Sequence, residues 1–161
     1  MDTGSLISVV HESLFVIVVF GGFLMYALIR GRQGLINIIM GLYLALLISL
    51  KFPYFDAILG NADSLKSKAI LMIVVFVVFS FLATWLFSRL MPREYDERMF
   101  ESFGKKLMFA AAGTILVMAY SYHALPLTEL VNPGSPVQYL FGSELSFFWW
   151  LLTPLVILFF L

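Results

Sequence analysis

The longest apolar runs in this sequence restrict the chain to one kind of solvent. Residues 69–87, "AILMIVVFVVFSFLATWLF", contain no charged side chain. Over the whole chain 61% of residues are hydrophobic and 12% are charged, whereas a soluble domain carries about 25% charged residues. A soluble fold could not cover such runs with polar surface. The sequence therefore predicts an all-α integral membrane protein.

Five hydrophobic segments are candidates for membrane-spanning helices. We predict a single membrane domain over residues 1–161, a compact bundle of four transmembrane helices plus a C-terminal fifth hydrophobic segment. The predicted spans cover residues 6–29, 35–51, 69–90, 107–125 and 145–161. The fifth contains Pro154 and is close to the lower limit of about 17 residues for a bilayer crossing. It could be a span, a tilted partial span or an interfacial hairpin, and we favour a span.

The distribution of basic residues predicts an orientation. Seven of the ten Lys and Arg residues lie in the turn at residues 30–34 or in the loop at residues 89–106. The other three, Lys51, Lys66 and Lys68, lie between the second and third segments. Because basic residues favour the cytoplasmic side, the turn, the loop and the C-terminus are predicted in the cytoplasm and the N-terminus outside.

The loop at residues 89–106, "RLMPREYDERMFESFGKK", has the pattern of a short amphipathic helix. Tyr95, Met99 and Phe103 recur every four residues, and Glu94 and Arg98 form a pair of opposite charge at helical spacing. We consider two interpretations, a helix lying on the cytoplasmic membrane interface and a solvated connector helix.

Small and polar residues recur every four positions in two of the predicted spans. In lipid, helices associate through close backbone approach and hydrogen bonds, so such stripes indicate packing faces. We expect packing within the bundle, with a homo-oligomer interface on the same stripe as the alternative. The stripe residues are Asn37, Gly41, Ala45 and Ser49 in the second span, and Ser80, Thr84 and Ser88 in the third.

The sequence "RGRQG" at residues 30–34 raises the question of a phosphate-binding loop. A P-loop needs G-x-x-x-x-G-K-[ST], a dinucleotide site needs G-x-G-x-x-G, and this segment contains neither pattern. We predict instead a tight cytoplasmic turn. Gly31 and Gly34 allow positive φ there, and Arg30 and Arg32 act as a cytoplasmic anchor at the lipid headgroups. Anionic lipid headgroups are candidate partners for this anchor.

Few residues in or near the spans carry catalytic or ligand chemistry. The sequence has no cysteine, no H-E-x-x-H and no G-x-S-x-G. His11, Glu12 and His123 are predicted at the outer interface, either as a proton-accepting or metal-binding cluster or merely half-solvated, and we favour the second. We therefore predict no enzyme activity, no cofactor and no metal. The formal net charge of +0 gives no argument for a nucleic-acid partner.

The order of features along the chain carries a resemblance. An N-terminal span and an Arg-Gly turn are followed by "GLINIIMGLYLALLISLKFPYFDAIL". This order resembles the start of the colicin V production protein (CvpA) family of bacterial inner-membrane proteins, over roughly residues 10–125. The family's R-G corresponds to Arg30-Gly31 or to Arg32-x-Gly34, and Ala45 and "KFPYF" at residues 51–55 match its Ala-containing middle and aromatic-Pro exit.

The chain departs from that pattern in two places. "GKKLMFAAAG" at residues 104–113 stands where the family usually has a second R-G, and the fifth segment exceeds the usual four spans. The resemblance implies an inner-membrane protein linked to colicin V production or export and to envelope maintenance, without established catalytic residues.

We therefore consider three functions for this protein. The first is a non-enzymatic scaffold or accessory factor with the lipid bilayer and other membrane proteins as partners. The second is a subunit of a small channel or transporter that works only as a homo-oligomer. The third is an intramembrane enzyme that uses His11, Glu12 and His123.

Overall fold

The described part of the chain is all-helical. The computed structural model describes residues 3–54, 57–58, 60, 64–91, 101–123, 141 and 143–160, and these residues contain no strand. They form four helices: α1, Thr3–Lys51; α2, Leu65–Leu90; α3, Glu101–His123; and α4, Glu144–Phe160. The predicted amphipathic loop helix falls mostly on residues 92–100, outside the described residues.

Three of these helices are long and apolar enough to cross a bilayer. The stretches that qualify are Leu14–Lys51, Leu65–Leu90 and Phe103–Tyr122, and a shorter apolar helix covers Ser146–Phe160. Large apolar side chains on their outer faces are exposed, Phe81 at 71% for example. A helical protein with an apolar exterior is compatible with lipid as its solvent, as the sequence predicts.

Helix α1 is interrupted at one residue, Gly31, with φ 75° and ψ 179°. A Cβ built on Gly34 would lie 2.8 Å from the Cβ of Arg30 and 2.9 Å from Cε1 of Tyr26. In an uninterrupted helix Tyr26 and Gly34 would be about 12 Å apart along the axis, and the tyrosine ring would lean the other way. The chain therefore doubles back at Gly31, and residues 3–30 and 32–51 form a helical hairpin. The turn predicted over residues 30–34 is compressed into a single non-helical glycine.

Helix α2 runs antiparallel to the second half of the hairpin. The Nε2 atom of Gln33 lies 3.3 Å from Sδ of Met91, just past the end of α2. Farther along, Phe52 and Phe79 meet edge-to-face with ring centroids 5.2 Å apart. Helix α2 begins after Ser64, whose hydroxyl caps the helix by accepting from the Ser67 amide at 3.1 Å.

Helix α3 returns along the same axis. A Cβ on Gly113 would lie 3.1 Å from Cδ1 of Phe23, which is about 12 Å from the Gly31 turn. The ring of Tyr120 meets that of Phe76, with centroids 5.7 Å apart. Phe76 lies about 22 Å from Met91 along α2. The first residues of α3 therefore lie near the turn, and its last residues lie at the opposite end of the bundle.

Helix α4 packs mainly against α3 and also touches the hairpin. The hydroxyl of Tyr43 donates to the carbonyl oxygen of Leu151, and Phe141, before α4 begins, stacks on Tyr122 near the end of α3. The helix has 17 residues, or about 25 Å, and runs from that end back towards the turn. The two halves of α1 and the three other helices thus lie side by side.

The buried core lies between these helices and is rich in alanine. Small side chains let helix backbones approach closely, which is the packing that lipid favours. Tyr120, Phe109, Leu35 and Ile39 are among the largest fully buried side chains. The core cluster consists of Ala27, Leu35, Ile39, Leu42, Ala45, Leu46, Phe76, Phe109, Ala110, Ala112, Leu116 and Tyr120.

Candidate functional site

The fold gathers basic residues at one end of the bundle. We refer to the end that carries Gly31, Met91 and the first residues of α3 as the turn end. Arg30 lies seven residues past Phe23 and Lys106 seven residues before Gly113, and Phe23 and Gly113 are in contact. Each therefore lies about 10 Å beyond that contact, at the same depth.

The basic side chains of the turn end are accessible. Arg30 and Arg89 are exposed, and Arg32, Lys105 and Lys106 are half-buried. Apolar neighbours in sequence are exposed beside them, with Ile29 at 71% and Leu90 at 68%. The residues of the predicted cytoplasmic anchor thus lie where accessible basic side chains border exposed apolar side chains.

The predicted packing stripe of the second span faces the interior. Asn37, Gly41 and Ala45 are buried, and Ser49 is half-buried. The amide oxygen of Asn37 accepts from Nε2 of Gln33 at 3.4 Å, one turn away. The hydroxyl of Ser49 is shielded and has no hydrogen-bond partner among the described residues.

Gly41 marks the closest approach of two helices at this stripe. A Cβ there would overlap Oγ1 of Thr84 and lie 2.8 Å from its amide nitrogen and 2.9 Å from its Cα. Because two of these atoms belong to the backbone of α2, no rotamer change could make room. The structure therefore brings Gly41 and Thr84, one from each predicted stripe, together inside one molecule.

The other two residues of the α2 stripe bond to their own helix. The hydroxyl of Ser80 donates to the Phe76 carbonyl at 2.8 Å, and that of Ser88 donates to the Trp85 carbonyl at 2.7 Å. Ser88 is also exposed. These hydroxyls satisfy their hydrogen bonds without a neighbouring helix.

Two tyrosines in the interior escaped the sequence analysis. Tyr120 is 1% exposed and its hydroxyl has no hydrogen-bond partner among the described residues. Tyr43, by contrast, donates its hydroxyl to the carbonyl oxygen of Leu151. Neither residue is charged or a histidine, the kinds of residue from which the sequence indicates a polar site within a span. A tyrosine within a predicted span was the signal that would have found both.

The predicted polar cluster falls outside what the structure describes in side-chain detail. The backbones of His11, Glu12 and His123 are helical, but their side chains are not among the described ones. Among described residues, no group of three His, Cys, Asp or Glu could hold a metal ion.

Several other described hydroxyls are engaged in hydrogen bonds to the backbone of their own helix. Thr114, Ser121 and Thr153 each donate to a carbonyl four residues earlier, at 2.7–2.8 Å. A hydroxyl used in this way is not polarised by a general base, which is what a nucleophile requires. The arrangement can pack helices and present charge at a membrane surface. No protein-family model matches this chain, and neither a curated protein nor a solved structure shows significant similarity to it.

Proposed function

We propose that this protein is a non-enzymatic, multi-pass membrane protein that acts as a scaffold or accessory factor. The observation that carries the proposal is the use of its polar groups: the bonded hydroxyls described above donate to backbone carbonyls. Hydroxyls engaged in this way are satisfied by the backbone of the protein itself. The exposed surface of α2 is apolar, so a protein partner would contact this surface within the membrane.

The scaffold role is tested by photocrosslinking in the membrane. A photoreactive residue at Phe81, exposed on α2, is expected to give a defined adduct with one membrane protein. The same probe at Val18, exposed on α1, reports whether the adduct depends on the face. Lipid adducts alone at both positions would contradict the scaffold role.

We infer five membrane crossings, with the N-terminal side of α1 outside and the turn end in the cytoplasm. The hairpin supports two crossings within α1, because each half has about 20 residues or more, enough for about 30 Å. The side-by-side position of α4 supports a fifth. Reporters at Arg32, Ser64, Glu97 and Pro133 test this topology, and a cytoplasmic signal at Ser64 would overturn it.

We further propose a bacterial inner-membrane location and a role related to colicin V production, export or envelope maintenance. The support is the resemblance around Arg30-Gly31. The positive φ of Gly31 explains why a glycine follows the arginine there. The test is complementation of a bacterium that lacks its own colicin V production protein. An inserted protein that restores no toxin production would remove this role and leave the scaffold role standing.

A subunit of an oligomeric channel or transporter is the second candidate. Gly21 and Gly22 favour it, since both are exposed on α1 and a Cβ on either would meet nothing within 4 Å. The Gly41 stripe does not favour it, because that stripe is occupied inside the molecule. Cysteines at Gly21 are expected to cross-link copies if an oligomer forms, with cysteines at buried Ala45 as the control. Absence of cross-linked oligomers would rule out the pore.

A further inference from the structure

We propose that the turn end of the bundle binds the phosphate headgroup of an anionic phospholipid, held by Arg30, Arg89 and Lys106. The three residues come from three separate elements: the hairpin turn, the last turn of α2 and the first turns of α3. The contact of Gln33 with Met91, at 3.3 Å, joins the first two elements. The contact of Phe23 with Gly113 brings the third to the same depth.

The surroundings of these cations select an amphiphile over a free phosphate ion. Ile29 next to Arg30 is 71% exposed and Leu90 next to Arg89 is 68% exposed, and Leu107 follows Lys106 with 41% exposed. A ligand that reaches the charged groups therefore lies along apolar side chains as well. A phospholipid offers both parts, with the phosphate at the cations and the acyl chains along the helices.

The charge at this end suits an anion. Arg30 and Arg89 are exposed and Lys106 is half-buried, so all three side chains can be reached by a ligand. Residues 30–34 and 89–106 together contain seven basic and four acidic residues, so the net charge of this end remains positive when the intervening loop is included. Polybasic segments next to a membrane attract anionic lipids in this way.

The proposed membrane topology determines only which leaflet supplies the lipid. The binding itself does not depend on that topology. The experiment is native mass spectrometry of the delipidated full chain in detergent. The probes are phosphatidylglycerol, phosphatidylcholine with the same acyl chains, and inorganic phosphate. We expect phosphatidylglycerol to bind, phosphatidylcholine to bind about tenfold more weakly, and inorganic phosphate to leave the lipid bound.

A matched pair of triple variants locates the site. R30Q/R89Q/K106Q is expected to weaken phosphatidylglycerol binding about tenfold. K51Q/K66Q/K68Q removes the same number of charges at the opposite end and is expected to bind as the wild type does. Equal loss in both variants, or displacement of the lipid by inorganic phosphate, would overturn the proposal.

Two further measurements keep the result decisive. If R30Q/R89Q/K106Q does not fold, the variant R30K/R89K/K106R is tested, which keeps all three positive charges and is expected to bind phosphatidylglycerol. For the wild-type protein, phosphatidylglycerol binding must weaken as the salt concentration rises, because the contact is electrostatic. Binding that does not respond to salt would overturn the headgroup site. Reporter labelling at Ser64 separately tests the topology.

Discussion

The hydroxyl of Tyr43 donates to the carbonyl oxygen of Leu151, three residues before Pro154. Proline has no amide N–H and its ring crowds the preceding turn, so the helix is weakened at that place. The missing N–H of Pro154 would have bonded to the carbonyl of Trp150, so the Tyr43 bond falls on the next carbonyl of the same turn, and Pro154 is fully buried. The bond thus joins α4 to the hairpin within the turn of α4 that Pro154 weakens.

Replacing Tyr43 with phenylalanine is expected to loosen α4. The substitution removes one interhelical hydrogen bond and keeps the ring, so we expect a loss of about 1 kcal/mol in the free energy of unfolding. The measurement is the midpoint of thermal unfolding in detergent. Tyr26→Phe, at a ring that packs on the Gly31 turn, is the matched control. Equal midpoints for Tyr43→Phe and the wild type would contradict a role for this bond.

Tyr120→Phe is expected to change the free energy of unfolding in the opposite direction from Tyr43→Phe. The Tyr120 hydroxyl is buried without a hydrogen-bond partner among the described residues, so its removal relieves a desolvation cost. The free energy of unfolding should stay the same or rise by about 1 kcal/mol. The edge-to-face contact with Phe76 is unaffected. A clear drop in the unfolding midpoint would show that the hydroxyl has a partner.

Gly41→Ala is expected to push α1 and α2 apart. The new Cβ would meet the amide nitrogen and Cα of Thr84 at 2.8 and 2.9 Å, and such overpacking costs about 1–3 kcal/mol. Thr84→Ala should not rescue the variant, since those two atoms are backbone. The measurement is the unfolding midpoint of both variants.

Gly21→Ala is the control for this substitution. It adds the same methyl group to the same helix, where a Cβ meets nothing within 4 Å. We expect no loss of stability. Equal destabilisation by the two substitutions would show that the Gly41 contact is not what matters.

Gly31→Ala is expected to strain the hairpin. A Cβ at Gly31 would find open space, but φ is 75° and ψ is 179°, a backbone region almost confined to glycine that costs other residues about 1–3 kcal/mol. Gly31→Asn should cost about as much, since asparagine tolerates positive φ mostly in the left-handed helical region, which the ψ of Gly31 excludes. Gly104→Ala, also in open space but with ordinary helical backbone, should be neutral. If Gly31→Ala leaves the unfolding midpoint unchanged, or Gly104→Ala lowers it as much, backbone strain at Gly31 is not the cause.

The sequence predicted an all-helical chain with long apolar helices and a turn at residues 30–34, because a bilayer demands long apolar helices and a tight reversal favours glycine. It also predicted that Gly41 and Thr84 belong to packing faces. It could not tell that Ser88 is exposed, since a serine can donate to its own helix and needs no neighbour. Nor did it indicate that Tyr43 and Tyr120, similar residues in similar runs, would differ in hydrogen bonding.

The tertiary structure decided which face of each helix points inward. In a soluble helix that face is read from the contrast between apolar and polar residues. In lipid both faces are apolar, as exposed Phe81 and buried Phe76 on α2 illustrate. Burial then depends on close packing between helices and on a few hydrogen bonds such as that from Tyr43 to Leu151. These depend on three-dimensional fit, which hydropathy along the chain does not encode. The run lengths of apolar residues determined the helices, and only packing decided how they meet.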